Sequence, residues 1–296
     1  MERIQQLGCI GNRSRRRRIL RIVRSVIKYF FLVLFSVFFL FPFFVMITRS
    51  VMTNPDVLHR NPVYIFPNEI YLQNFVRAWD IQLLSNLSNT LIIEVCQVIG
   101  VPFTAALCAF GFSKVRFRFR ETVFALVLST MMLPGICTQI PLYVTYVKIG
   151  WINTLFPFTV TAFFGGGAVN IFLIRQFMRG IPREMDEAAK IDGANLFMIF
   201  YRIVLPMCMP VVVLIMVQTF MGNWNDFMGP LLYLRDDRVE TLALGVYNRF
   251  SGASSVDSYA NVQMAVGLYM MLPCAIVFFV FQKQLIDGIQ LGAVKG

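Results

Sequence analysis

Six stretches of twenty residues or more run almost without charge, and they decide which medium this chain can occupy. They cover 29–48, 83–113 (interrupted only by Glu94), 122–147, 149–174, 203–225 and 258–282. At about 1.5 Å per helical residue each can cross the roughly 30 Å of hydrocarbon in a bilayer. The composition agrees: 57% of residues are hydrophobic, 15% are charged and mean hydropathy is +0.65. Thirty phenylalanines and sixteen methionines are more bulky apolar area than a soluble core of this size absorbs. The expected fold class is all-α, a polytopic membrane protein with about six transmembrane helices.

The first run follows basic residues, as a signal peptide would. Its apolar core is too long, however, and no small-residue cleavage pattern precedes Arg49, so it reads as a retained helix. The net charge of +11 does not form a nucleic-acid-binding face. Twenty of the 27 Lys and Arg fall before residue 29, in 114–120, in 175–202 and after residue 282, on alternate sides of the spans. The positive-inside rule then places both termini of a multi-pass membrane protein in the cytoplasm. This divides the chain into a basic N-terminus (1–28), a transmembrane domain (29–282) and a cytoplasmic tail (283–296). Within the domain lie outer connections at 50–82 and 235–257 and an inner loop at 179–206. Residues 74–79 of the first connection suit a short surface helix with Trp79 at headgroup level.

No catalytic or metal centre is expected. The six cysteines (Cys9, Cys96, Cys108, Cys137, Cys208, Cys274) lack metal-ligand spacing and read as small buried hydrophobes, and His59 is the single histidine. H-E-x-x-H and G-x-S-x-G are missing, so a membrane enzyme is disfavoured, and no P-loop is present to hold ATP phosphates in this chain. An ion-coupled secondary transporter stays open as an alternative. It would call for several intramembrane ionisable groups where the sequence offers mainly Glu94.

The inner loop carries the strongest pattern. Pro182 suits a helix start, Glu184, Asp186 and Glu187 put negative charge near that start, and Gly193 suits its end. A helix of about ten residues is expected, tied between two spans. Ala188 and Ala189 make a shallow spot for a partner's approach, and Met185, Ile191 and Phe197 are apolar anchors.

Glu187-Ala188-Ala189, then Gly193, then Ile203-Val204-Leu205-Pro206 resembles the EAA signature of bacterial ATP-binding-cassette importer permeases. Asn223-Trp224-Asn225-Asp226-Phe227, Thr241-Leu242-Ala243-Leu244-Gly245 and the ending 291–296 are similar to the carbohydrate-uptake, maltose-type branch. The resemblance implies the maltose-type permease fold, a second similar permease subunit in a heterodimer, two ATPase subunits that hold ATP and Mg, and an extracytoplasmic solute-binding protein. It implies no cofactor in this chain, a sugar or oligosaccharide substrate, and a coupling role for Glu187, Ala188, Ala189 and Gly193, flanked by Asp192 and Pro206. A non-sugar solute remains an alternative.

A sugar path needs buried hydrogen-bonding groups. Asn223, Trp224, Asn225 and Asp226 near the end of the fifth span offer that chemistry, against the competing reading of an interfacial tryptophan and a polar helix end. Glu94 and Gln97 share one helical face of the second span. Gln139, Asn170 and Gln218 suit packing between helices. Gly165-Gly166-Gly167 marks a hinge or a close helix approach, and Pro42, Pro102, Pro134, Pro141, Pro157 and Pro273 mark bends.

Overall fold

The computed structural model describes residues 2–53, 65–79, 83–251 and 260–293. His59, Pro55, Pro62, residues 252–257 of the second outer connection, residues 294–296 and the side chain of Cys9 lie outside that description. The main helices are α1 (Glu2–Ser50), α2 (Gln73–Trp79), α3 (Leu83–Ser113), α4 (Arg120–Ser129), α5 (Gly135–Lys148), α6 (Ala168–Arg179), α7 (Arg183–Ile191), α8 (Met209–Trp224), α9 (Leu242–Phe250) and α10 (Ala260–Ala293). No strand occurs among the described residues.

Four helical stretches are long and apolar enough to cross a membrane: Arg21–Ser50, Leu84–Ser113, Phe156–Arg179 and Ala260–Leu285. Two broken pairs raise the number to six if each is one span: Arg120–Met132 with Gly135–Lys148, bent by 100°, and Leu196–Met207 with Met209–Trp224, bent by 77°. The expected third and fifth spans are therefore not straight. Pro134 directly precedes α5, and Leu133 before it is extended at ψ 120°, the conformation a following proline enforces. Pro210 cannot donate to the carbonyl four residues back, so the helix breaks beside Cys208. The fourth span starts at Phe156 rather than 149, because Gly150 and Asn153 take positive φ and end the preceding helix.

The chain forms two compact units. In the unit of residues 1–75 and 260–268, the end of α1 is held by buried amides. Asn74 Nδ2 donates to the carbonyls of Ser50 (2.8 Å) and Met52 (2.9 Å). Asn261 Nδ2 donates to Asn74 Oδ1 (2.9 Å) and also to Met52 O (3.2 Å). Both asparagines are buried, so each bond replaces one that water would otherwise make. Asn74→Ala strands Ser50 O and removes one of the two acceptors of Asn261 Nδ2; it should cost about 2 kcal/mol, read as a lower melting temperature of the purified chain, and an unchanged melting point would refute this role.

In the unit of residues 76–259 and 269–296, α3 is the hub. It packs on α6 and α8 around a core that includes Ala105, Ala109, Ile174, Met178, Phe200 and Val204. Small side chains along α3 bring backbones close, as in other membrane helix pairs. A Cβ at Gly100 would meet Ala162 Cβ at 3.0 Å. At Gly166, with φ +65°, a Cβ would overlap the Val101 carbonyl oxygen. The glycine triplet is thus a point of close approach. Of the cysteines, Cys208 is buried and Cys96, Cys108 and Cys274 are half-buried, but Cys137 is exposed, contrary to the expectation of uniform burial.

Candidate functional site

The loop 179–206 contains the expected helix. Pro182 is its N-terminal flanking residue (φ −55°, ψ 140°) rather than part of its first turn, and α7 runs nine residues to Ile191. Gly193 closes it at φ +83°, with its N–H on Lys190 O (3.0 Å) and Ala194 N–H on Ala189 O (2.9 Å). That left-handed terminator suits glycine, the residue without a Cβ penalty there.

The helix has an inward and an outward face. Ala189 is buried against the core around α3, and Asp186 is buried with it. Glu187, Ala188, Asp192 and Gly193 are exposed, as is Pro206 in the turn Leu205–Met207. Ile191 is 87% exposed and Phe197 64%, so the apolar anchors have little cover from the described chain. The two alanines therefore differ: Ala189 packs inward, and Ala188 is open to a partner.

One ion pair fastens this loop to the end of α3 and a second ties the helices beside it together; neither was readable as a pair in the sequence. Lys114, just past α3, places Nζ 2.7 Å from Asp186 Oδ2 and donates to Ile181 O at 3.1 Å. At the end of α6, buried Arg175 donates through Nη2 to both oxygens of Glu121 on α4 (2.8 and 2.7 Å) and through Nε to Phe112 O (3.1 Å). Its guanidinium lies 3.8 Å from the centroid of Phe124. The ends of α3, α4 and α6 are thereby linked to α7. These links are short, charge-assisted contacts.

The polar residues of the expected solute path separate into two sets. Trp224 corrects the sequence reading: it is buried, its Nε1 donates to Met270 O (2.9 Å), and it stacks on Phe220 with centroids 5.4 Å apart. Its ring fills the interior rather than an interface or a lumen, because α8 and α10 close over it. Asn225 Nδ2 donates to Met221 O and to Cys274 Sγ, and Asp226 Oδ1 accepts from Gly229 N–H (3.1 Å). Gln97 Nε2 donates to Phe158 O. Glu94 differs from all of these, since it is buried and neither carboxylate oxygen has a hydrogen-bond partner among the described residues; Asn223 Nδ2 also has none among them.

The segment 241–245 has a structural explanation. Thr241 caps α9 by accepting from Leu244 N–H, and Leu242 N–H donates to Thr90 on α3 (2.8 Å). Gly245 has no Cβ where the Asn86 amide lies against it. These residues hold α9 on α3.

Residues 102–290 match the family described as "Binding-protein-dependent transport system inner membrane component". The chain belongs to this family. It is thus a multi-pass membrane transport subunit, and its fold is that of importer permeases. The permease is 32% identical over 260 residues to the melibiose/raffinose/stachyose import permease protein MelC of Bacillus subtilis (strain 168), covering 86% of this chain and 91% of that protein. It is 27% identical to the arabinooligosaccharides transport system permease protein AraQ of the same organism, covering 93% and 97%. Its fold matches a chain of a bacterial ABC transporter involved in the import of the acidic polysaccharide alginate, at TM-score 0.78 and 23% identity, covering 88% of the permease and 96% of that chain.

Proposed function

We propose that this permease imports a sugar or oligosaccharide, driven by ATP that separate subunits bind with Mg and hydrolyse, and that α7 is the element receiving their motion. Two such ATPases would serve this chain and a second, similar permease, with solute delivered by an extracytoplasmic binding protein. Both termini and the 179–206 loop then face the cytoplasm, in keeping with the Lys and Arg distribution. Support for the sugar comes from relatives whose names specify melibiose, raffinose, stachyose and arabinooligosaccharides.

The observation that carries the coupling reading is the two-sided character of α7. Its inward face is tied to α3 by the Lys114–Asp186 pair, and its outward face offers Glu187, Ala188 and Ile191. Nucleotide can shift an inward-facing to outward-facing equilibrium only through contacts that differ between the two states, and this outward face supplies such a contact. Within the membrane, Glu94 and Asn223 keep unused hydrogen-bonding atoms suited to passing hydroxyls, with Gln97 one turn along α3. Trp224, Asn225 and Asp226 support that region from behind.

A cysteine at Ala188 tests the reading. Ala188→Cys should crosslink to the ATPase subunit in the assembled complex, whereas a crosslink to the extracytoplasmic partner would reject it. Gly193→Trp should leave the chain in the membrane, since nothing lies within 4 Å of the Gly193 Cβ position, yet reduce ATP-dependent uptake at least ten-fold through the strained φ of +83° and the bulk at the docking face. Normal uptake with normal ATPase association would end the coupling assignment.

A further inference from the structure

The connection between α3 and α4 reads Arg116-Phe117-Arg118-Phe119-Arg120, alternating cations with aromatic rings. Coupling through α7 uses none of the central three residues. Phe117 is 44% exposed and Phe119 63%. Phe119 holds φ +65°, a conformation rare for a bulky residue, and the Arg118 guanidinium sits 5.0 Å from its ring centroid. The backbone thus keeps an apolar ring outward among positive charges.

Beside this loop lies a cavity of about 530 Å³ lined by Arg116, Phe117, Phe119, Arg120, Glu121, Thr122 and Arg183, a volume within the usual range for a small ligand. Both oxygens of the one acid in it, Glu121, are held by Arg175, and one of them also by Arg120. Arg116 and Arg183 have no hydrogen-bond or ion-pair partner among the described residues. Arg183 is also the first residue of α7.

We infer that this cavity binds the phosphate of an anionic phospholipid headgroup, with Arg116 and Arg183 as its ligands and Phe117 and Phe119 entering the interfacial layer of the membrane. A soluble phosphate would meet the same two guanidinium groups but would have no use for two exposed rings. The rings, together with the position of the loop at the ends of two apolar helices, favour a lipid. Because Arg183 opens α7, an occupied site bridges the coupling helix to the leaflet and makes transport sensitive to anionic lipid. The inner-leaflet location rests on the orientation proposed above.

The test is native mass spectrometry of the full-length chain purified with its associated subunits, offered phosphatidylglycerol or phosphatidylcholine of matched acyl chains. Phosphatidylglycerol should be retained in preference. Each arginine near a membrane surface contributes about a five-fold change in retention, so Arg116→Ala should lower it about five-fold and Arg116→Ala with Arg183→Ala about thirty-fold. Arg249→Ala, which removes a charge from α9, should leave it unchanged.

Phe119→Gly suits the positive φ, so it should preserve the melting temperature while reducing retention. If the double alanine variant unfolds, Arg116→Gln with Arg183→Gln replaces it. Equal retention of the two lipids, unchanged retention in the double variant, or displacement by millimolar inorganic phosphate would overturn the inference. So would crosslinking of Arg116→Cys to an ATPase subunit without lipid preference, which would make the patch a protein contact. Labelling of Ala188→Cys from either side of the membrane checks the orientation separately. Lost lipid preference with Ala188 on the inner side refutes only the lipid site; retained preference with Ala188 outside refutes only the coupling reading.

Discussion

Lys114→Ala should destabilise the protein by about 3–5 kcal/mol, the cost of leaving one member of a buried ion pair without the other. The side chains of Lys114 and Asp186 are 6% and 11% exposed, so water cannot take the missing partner's place. The damage is asymmetric. Asp186 Oδ1 already lacks a partner, and loss of Lys114 would leave the whole carboxylate unsatisfied. In Asp186→Ala, by contrast, the ammonium keeps Ile181 O.

Replacing both residues by apolar ones, Lys114→Met with Asp186→Leu, should recover most of the lost stability, because two desolvated charges disappear together. Thermal unfolding of the unaltered protein, Lys114→Met, Asp186→Leu and the double variant gives the coupling between the two positions. Uptake measured on the double variant then separates holding from driving. If stability returns and uptake does not, the pair transmits motion from α7 to α3. Additive effects of the two single substitutions would show that the pair does not act as a unit.

Gly166→Val should be at least as damaging. Any Cβ there overlaps the Val101 carbonyl oxygen and presses on Ala105, and the obstacle is backbone in the middle of the hub helix. Left-handed backbone at a β-branched residue costs about 1–2 kcal/mol, and overpacking adds about 1–3 kcal/mol. The expected result is about 3 kcal/mol or more of lost stability and little folded protein in the membrane fraction, measured by detergent size-exclusion and thermal melting. Gly165→Ala is the control, since its Cβ direction is open although its φ is also positive. It should cost only about 1–2 kcal/mol. Equal effects at the two glycines would remove close approach as the explanation.

Both substitutions act on α3 from opposite ends of its function. Near Gly166 the helix is packed by small residues against the segments that precede α6, and at Lys114 it is tied to α7. On the side of Gly166 away from Lys114, Thr90 accepts from Leu242 N–H at the start of α9, the Asn86 amide lies against Gly245, and Gln97 donates to Phe158 O. Motion entering at α7, as proposed above, would have to travel about 30 Å along α3 from Lys114 to reach Glu94. That route runs through a single helix.

What the sequence determined by itself was local. Long uncharged runs carry their own free energy of transfer, so the number of spans and the limits of 83–113 were readable before any packing was known. The short helix α7 was readable because Pro182 and Gly193 act on their own backbone: one lacks an N–H, the other tolerates positive φ. The tertiary structure decided the rest. Pro134 and Pro210 were visible as prolines, but the size of each bend depends on which neighbours receive the freed carbonyls. Trp224 is bivalent chemistry until α10 supplies the Met270 carbonyl, and only then is it interior. Lys114 and Asp186 lie far apart in the chain and each looks like an ordinary charge at a helix end; no periodicity links them, and their pairing exists only because the fold brings the end of α3 and the start of α7 to one buried place.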